Sequence, residues 1–179
     1  MPNYVALLRG INVGGHHKIK MDELKECLSA LGFTEVQSLL ASGNLLFQSP
    51  STDQVKLTKI IETTLEEKFG YPIGVLLRSS EDIQALVDRD PYKTVELTPQ
   101  TQFYISFLKE IPTTDFTAPY ISPDGDFQII EVTDREIISV LEVREPGKTP
   151  QAMNTLEKEF GRSITTRNWN TVKKIATYF

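Results

Sequence analysis

The sequence predicts an α+β protein that opens with a ferredoxin-like βαββαβ unit, an antiparallel sheet with its helices on one face. Three observations carry this reading. Short apolar runs of strand length recur at Tyr4–Leu8, Leu45–Gln48 and Ile73–Leu77. Apolar stripes at helical spacing lie between them, and a turn-forming cluster marks each change. Residues 1–78 are therefore expected to form this unit. Residues 79–179 are expected to form a second α+β unit packed on the first, a degenerate ferredoxin-like one whose first helix is replaced by a loop.

Each element has its own justification. Tyr4–Leu8 is apolar at successive positions, so it belongs in the interior of a sheet. Met21, Leu24, Cys27, Leu28 and Leu31 repeat at helical spacing, and Gly32 ends the run. Thr34–Ala41 and Leu45–Gln48 are β-type runs joined by the turn Ala41-Ser42-Gly43-Asn44. Ser51 and Gln54 have capping-box spacing ahead of a helix striped by Leu57, Ile61, Leu65 and Phe69. Ile73–Leu77 is the next strand, and Ser80-Glu-Asp-Ile opens a short helix with Ile83, Leu86 and Val87. Phe103, Ile105 and Phe107 alternate with Tyr104 and Ser106 in a further strand. Residues 110–124 contain Pro112, Pro119 and Pro123 and read as a loop. Phe127–Val132 and Glu136–Val143 form a hairpin about Thr133-Asp134-Arg135. A helix with Met153, Leu156 and Phe160 follows Pro150. A short strand near Ile164 then leads into a last helix that buries Trp169, Val172, Ile175 and Ala176.

Composition narrows the class. The chain has 179 residues, 40% apolar and 24% charged, which suits a globular protein. No apolar run approaches the roughly 20 residues that a membrane-spanning helix needs. The N-terminus lacks the basic region and apolar stretch of a secretory signal, and the lone Cys27 makes no internal disulfide, so a cytoplasmic location is expected. The formal net charge of −5 is unevenly spread. Residues 1–20 carry Arg9, Lys18 and Lys20 without an acid, and residues 161–179 carry Arg162, Arg167, Lys173 and Lys174 without one. An acidic body with two basic ends is a poor general coat for nucleic acid but suits a discrete anion site.

The opening loop is the first candidate. Gly10-Ile-Asn-Val-Gly-Gly15 follows a strand and has the glycine spacing of a phosphate-cradling loop. The Lys and Ser or Thr that should follow are replaced by His16 and His17, so a nucleotide triphosphatase site is excluded. What survives is a glycine-rich turn whose backbone N–H groups can face an anion, with Arg9, Asn12, Gly14, Gly15, Lys18 and Lys20 around it. In a βαββαβ sheet this loop and the turn holding Ser42 and Asn44 lie at the same edge. The two adjacent histidines and one cysteine do not compose a metal site, and Ser42 lies in no nucleophile elbow. No catalytic residue, metal or cofactor is assigned.

The segment Ile164-Thr-Thr-Arg-Asn-Trp-Asn-Thr-Val-Lys-Lys174 is the second candidate. A helix starting here would favour acids in its first turn, yet the positions hold Thr165 and Thr166 as caps, then Arg167, Asn168 and Asn170. A bound anion at the helix start accounts for that choice, and Trp169 anchors the helix to the core.

With these motifs in view, "YVALLRGINVGGHHKIKMDEL", "ASGNLLF" and "TTRNWNTVKKI" resemble the domain-of-unknown-function family numbered 1697, over essentially the whole chain. Family members usually carry Gln-Ser-Gly-Asn where this chain has Ala41-Ser42-Gly43-Asn44, and many carry lysine or another polar residue at His16 and His17. The resemblance implies an α+β, ferredoxin-like architecture in a cytoplasmic bacterial protein, and it implies no activity. The expected function is binding of a small anionic or phosphate-bearing ligand by Arg9, Asn12, Gly14, Gly15, Lys18, Lys20, Ser42, Asn44, Arg167, Asn168 and Asn170, with both basic ends at one site. The alternatives are a nucleic-acid-binding module and a protein-interaction module that forms a homodimer.

Overall fold

The first strand is the organising element of the structure. The computed structural model describes residues 1–15 and 17–179, so His16 lies outside the described residues. β1 (Asn3–Leu8) pairs antiparallel with β3 (Asn44–Gln48) on one side and with β4 (Val75–Ser79) on the other. β2 (Thr34–Leu39) closes the other edge of β3, giving the order β2-β3-β1-β4. α1 (Met21–Ala30) and α2 (Gln54–Phe69) supply the crossovers. Tyr4, Ala6 and Leu8 meet Leu24, Leu28, Leu57, Ile61 and Leu65 in one core, so both helices cover the same face of the sheet. Val5 and Leu7 point to the opposite face and are fully buried too, which is why β1 is apolar at every position from Tyr4 to Leu8.

The remaining elements are α3 (Ser80–Arg89), β5 (Thr101–Leu108), β6 (Tyr120–Ile121), β7 (Phe127–Val132), β8 (Glu136–Glu142), α4 (Lys148–Phe160), β9 (Ile164–Asn168) and α5 (Trp169–Ala176). The second sheet is antiparallel throughout, in the order β6-β7-β8-β5-β9. Its core gathers Leu108, Ile129, Ile137 and Leu141 with Ala152 and Leu156 of α4. The described residues thus form a mixed α+β fold with two antiparallel sheets and five helices. They divide into two compact units, Met1–Ala85 with Ile175–Phe179, and Leu86–Lys174. No helix among the described residues is long and apolar enough to cross a membrane.

The two sheets share an internal plan that the amino-acid sequence hides. Omitting β6, the second sheet reads β7-β8-β5-β9, the same order as β2-β3-β1-β4. The registers correspond as well. Val5 opposes Leu46 and Arg78, and Ile105 opposes Ile138 and Arg167. Leu8 opposes Val75, and Leu108 opposes Ile164. Even the strand exits match. The Leu8 N–H donates to the Gly43 carbonyl and the Leu108 N–H to that of Arg135, both at 2.8 Å. Side chains diverge freely under such conservation of plan, because backbone pairing specifies only which positions face a core.

Several local expectations shift by a few residues. α2 is capped by Asp53, whose carboxylate accepts from the Lys56 N–H at 3.0 Å, and Gln54 is already helical, so Ser51 and Gln54 form no capping box. The capping box of the chain lies at α3 instead. The Ser79 N–H donates to Asp82 at 3.1 Å, and the Asp82 N–H donates back to the Ser79 hydroxyl at 3.1 Å. The proline-rich stretch 110–124 is not wholly loop, since Tyr120–Ile121 adds an edge strand to β7. α4 starts at Lys148, ahead of Pro150, because a proline in the first helical turn sacrifices no intrahelical bond.

Candidate functional site

The opening loop is held at its base by backbone bonds to both neighbours of β1. The Arg9 N–H donates to the Gly74 carbonyl at 2.9 Å, complementing the Leu8–Gly43 bond on the other side. The loop and the Ser42-Gly43-Asn44 turn therefore share one sheet edge, as the topology requires. Ile11 turns inward and is 2% exposed. Gly43 makes room for it: a Cβ there would stand 2.8 Å from Ile11 Cδ1 and 2.9 Å from Leu8 Cβ, and its φ of +79° independently favours glycine.

Asn12 closes the loop. Its Nδ2 donates to the carbonyls of Ile19 (3.1 Å) and Ala41 (2.9 Å), and its Oδ1 accepts from the Ile19 N–H (2.8 Å). Its own N–H donates to the His17 carbonyl at 3.2 Å. One side chain thus ties the two ends of the loop together and fastens both to the neighbouring turn. The residue holds a φ of 55°, which asparagine tolerates better than most residues. Between these anchors Val13, Gly14, Gly15, His17 and Lys18 are exposed. The His17 ring packs on Tyr71 with centroids 4.1 Å apart. A depression of about 440 Å³ lies beside the loop, lined by Asn12, Gly15, Lys18, Ile19, Met21 and Ala41.

The expected site residues separate into three groups. Asn12, Gly15 and Lys18 line the depression, and Gly14 and Lys20 are exposed on the same segment. Lys20 also stands at the N-cap of α1, where it provides no side-chain cap. Arg9 is half-buried at the loop base. Ser42 and Asn44 are used by the fold: Asn44 is fully buried, and its Nδ2 donates to the Leu39 carbonyl at 2.8 Å and the Ser42 hydroxyl at 3.0 Å. The third group belongs to the second unit. Arg167 is a residue of β9 rather than of a helix, because Thr165-Thr166-Arg167 pairs with Ser106 and its neighbours as a strand. It is 8% exposed, and its Nη1 donates to Thr165 Oγ1 at 2.8 Å and to the Thr166 carbonyl at 2.9 Å. Burial pulls its pKa down to about 10, which still leaves it charged at neutral pH. Asn168, not Thr165 or Thr166, caps α5, accepting from the Asn170 N–H at 2.9 Å.

Exposed glycine backbone and two exposed ammonium groups can meet negative charge. The Ser42 hydroxyl is engaged with Asn44, and burial pushes the Cys27 thiol up, away from thiolate chemistry. Among the described residues no group of three or more His, Cys, Asp or Glu side chains is placed to hold a metal ion. Sequence reasoning passed over the Ala41 carbonyl and Ile11, which complete the loop's anchorage. A backbone acceptor leaves no mark in residue identity, although the inward apolar residue between two glycines was a usable signal.

The chain is similar in structure to the conserved bacterial protein SP0830 from Streptococcus pneumoniae, with a TM-score of 0.73 and 26% sequence identity over 98% of this chain and 97% of that one. A comparison with curated proteins finds no match. A family model matches residues 1–137, which takes in the opening loop and the Ser-Gly-Asn turn and stops short of the 165–175 segment. By that match the chain belongs to the family described as protein of unknown function, DUF1697.

Proposed function

We propose that the protein binds a small anionic or phosphate-bearing ligand at the opening loop of its first unit. The observation that carries this reading is the depression of about 440 Å³ beside an acid-free segment in which Gly14, Gly15, Lys18 and Lys20 are exposed, with Asn12 bonded to Ile19 and to the Ala41 carbonyl. A loop anchored in this way loses little conformational freedom on binding. Gly14 and Gly15 offer backbone N–H groups, Lys18 and Lys20 supply charge, and Arg9 adds to the local field. Asn12, Ser42 and Asn44 position the backbone. Asp22 and Glu23 in the first turn of α1 weaken the pull of that helix end, so the lysines carry the electrostatic part. Arg167, Asn168 and Asn170 act within their own unit, as support for β9 and the start of α5. We further read both units as ferredoxin-like, the second without its first helix, in a cytoplasmic protein. A nucleic-acid-binding role is the weaker reading. Val5, Leu7, Leu46 and Leu76, which line the face away from the helices, are buried and give no stacking platform for bases.

Thermal denaturation with inorganic phosphate, pyrophosphate, a nucleoside triphosphate and a hexose phosphate tests the proposal. A ligand at 100 to 1,000 times its Kd should stabilise the protein by roughly 3–4 kcal/mol, and replacing Lys18 and Lys20 by alanine should remove most of that gain. A flat response to every anion would overturn the reading.

A further inference from the structure

The depression beside the opening loop selects by more than charge. Among the described residues it is lined by Asn12, Gly15, Lys18, Ile19, Met21 and Ala41, and Lys18 alone of these is charged. Asn12 brings no spare donor. Its Nδ2 donates to the Ile19 and Ala41 carbonyls at 3.1 and 2.9 Å, which uses both protons of the carboxamide. Its Oδ1 accepts from the Ile19 N–H at 2.8 Å, so the backbone of Ile19 is engaged as well. The polar groups of this wall are therefore turned to one another, and a ligand meets one ammonium, glycine backbone and hydrocarbon.

The hydrocarbon comes from Ile19, from Met21, which is half-buried against the core of the first unit, and from Ala41, which is exposed. It continues along the chain on both sides of the Asn12–Ala41 bond. Val13 follows Asn12 and is 67% exposed, and Leu40 precedes Ala41 and is 49% exposed. A single exposed apolar side chain is ordinary, but two on the residues flanking one hydrogen bond, next to an apolar wall, leave a patch wet that a ligand can dry. The cavity of the second unit gives no comparable selection. Its Lys148 is already held by Asp124 at 2.7 Å and Asp126 at 3.0 Å, and the Asp126 oxygen without a hydrogen-bond partner is sealed from solvent.

On the footing of the anion site proposed above, we infer that its ligand is a small amphiphilic anion, one phosphate or carboxylate head on an alkyl or aryl body. The head meets Lys18 and the Gly14–Gly15 backbone, and the body lies on Ile19, Met21 and Ala41. The volume of about 440 Å³ is in the ordinary range for a small-molecule site. Residue chemistry decides against the other anions. A sugar phosphate would set hydroxyls against Ile19 and Met21, where they lose water and gain no partner. A polyphosphate would bring several charges to a wall with one ammonium. A bare inorganic anion would leave the hydrocarbon wet and forgo what its burial contributes.

Titration of the isotopically labelled full chain with two matched pairs, methyl and n-butyl phosphate, and acetate and pentanoate, followed by amide chemical shifts, tests this. Each pair differs by three methylenes at constant charge. Affinity should rise about fourfold for each methylene that leaves water, so the longer member of at least one pair should bind about tenfold more tightly or better, with shifts at residues 12–21. Met21→Gln should cut that ratio to about threefold or less. Should Met21→Gln fail to fold, Ala41→Asn at the exposed position should cut it as well. Equal affinities within both pairs, or a ratio unchanged in both folded variants, would overturn the amphiphilic ligand while anion binding at the loop stands. Silence with all four ligands and with inorganic phosphate would overturn the anion site too. Binding to phosphatidylglycerol vesicles without a response to any soluble anion would overturn the proposal in favour of a membrane surface.

Discussion

Arg78 and Arg167 occupy the same position in the two sheets. Each is the penultimate residue of a strand flanking the central one, β4 beside β1 and β9 beside β5. Each is buried, at 5% and 8% exposure, and donates from Nη1 to the carbonyl of the residue before it at 2.9 Å. A long cation kept at equivalent positions, where leucine or valine would be easier to bury, marks a requirement of the shared plan. The two arginines should therefore behave alike on substitution. Arg78→Ala and Arg167→Ala should each lower stability by about 2–4 kcal/mol, through lost packing and unmet hydrogen-bond partners, in urea denaturation. A wild-type midpoint for one beside an unfolded partner variant would break the equivalence.

Asn12 gives a sharper local test. Asn12→Ala removes three hydrogen bonds at a φ of 55° and should cost about 1–3 kcal/mol. Amide exchange should accelerate at Ile19, whose N–H loses its acceptor, while β1 stays protected. Unchanged protection at Ile19 would show that the loop is held by other means.

Trp169 opens α5 at 5% exposure and meets Tyr92 edge-on with centroids 5.5 Å apart. Tyr92 stacks in turn on Phe103, and its hydroxyl reaches the carbonyls of Tyr104 at 2.5 Å and Ser139 at 3.2 Å. Trp169→Ala should destabilise by about 3–5 kcal/mol, as loss of a core aromatic does. Its intrinsic fluorescence should be blue-shifted in the native protein and move red on unfolding. A melting curve equal to wild type would contradict the packing.

The Asp124–Lys148 contact sets a pH expectation. Hydrogen bonding from Lys148 and then Ser122 holds the Asp124 carboxyl well below the usual range, and the bonds from Asp124 and Asp126 raise Lys148. The depressed carboxyl contributes stability above its unfolded pKa and loses it as pH falls through the folded one. The raised ammonium contributes below its unfolded pKa and loses it as pH rises through the folded one. The effect of Asp124→Asn on Tm should therefore be level between about pH 5 and pH 10 and shrink only outside that window. A steep change near pH 6 or 7 would show that another group governs the contact.

Patterning along the chain was enough to order β1 through β4 with their helices, because apolar period and turn residues are local signals. The interior place of β1 followed from its unbroken apolar run. The same logic failed at Thr165–Arg167, where a helix start was expected. β-branched threonines beside an arginine can cap a helix or pair as a strand, and pairing with β5 decided it. The candidate site was half legible. Glycines and lysines announced an exposed, acid-free loop, but the polar residues beside them, Asn12 and Asn44, proved to be committed to backbone groups far away in sequence.

What the sequence determined by itself was the α+β class, the succession of elements in the first unit, and the basic character of the opening loop. Each rests on residue type and spacing, which nearest-neighbour physics can read. Only the tertiary structure decided that the second sheet repeats the order and register of the first, that Arg167 is buried in a strand, and that Asp126 lacks a hydrogen bond at one oxygen. These depend on which carbonyl or side chain arrives from a distant segment, and hydrogen bonds to backbone groups carry no signature of the partner in the sequence.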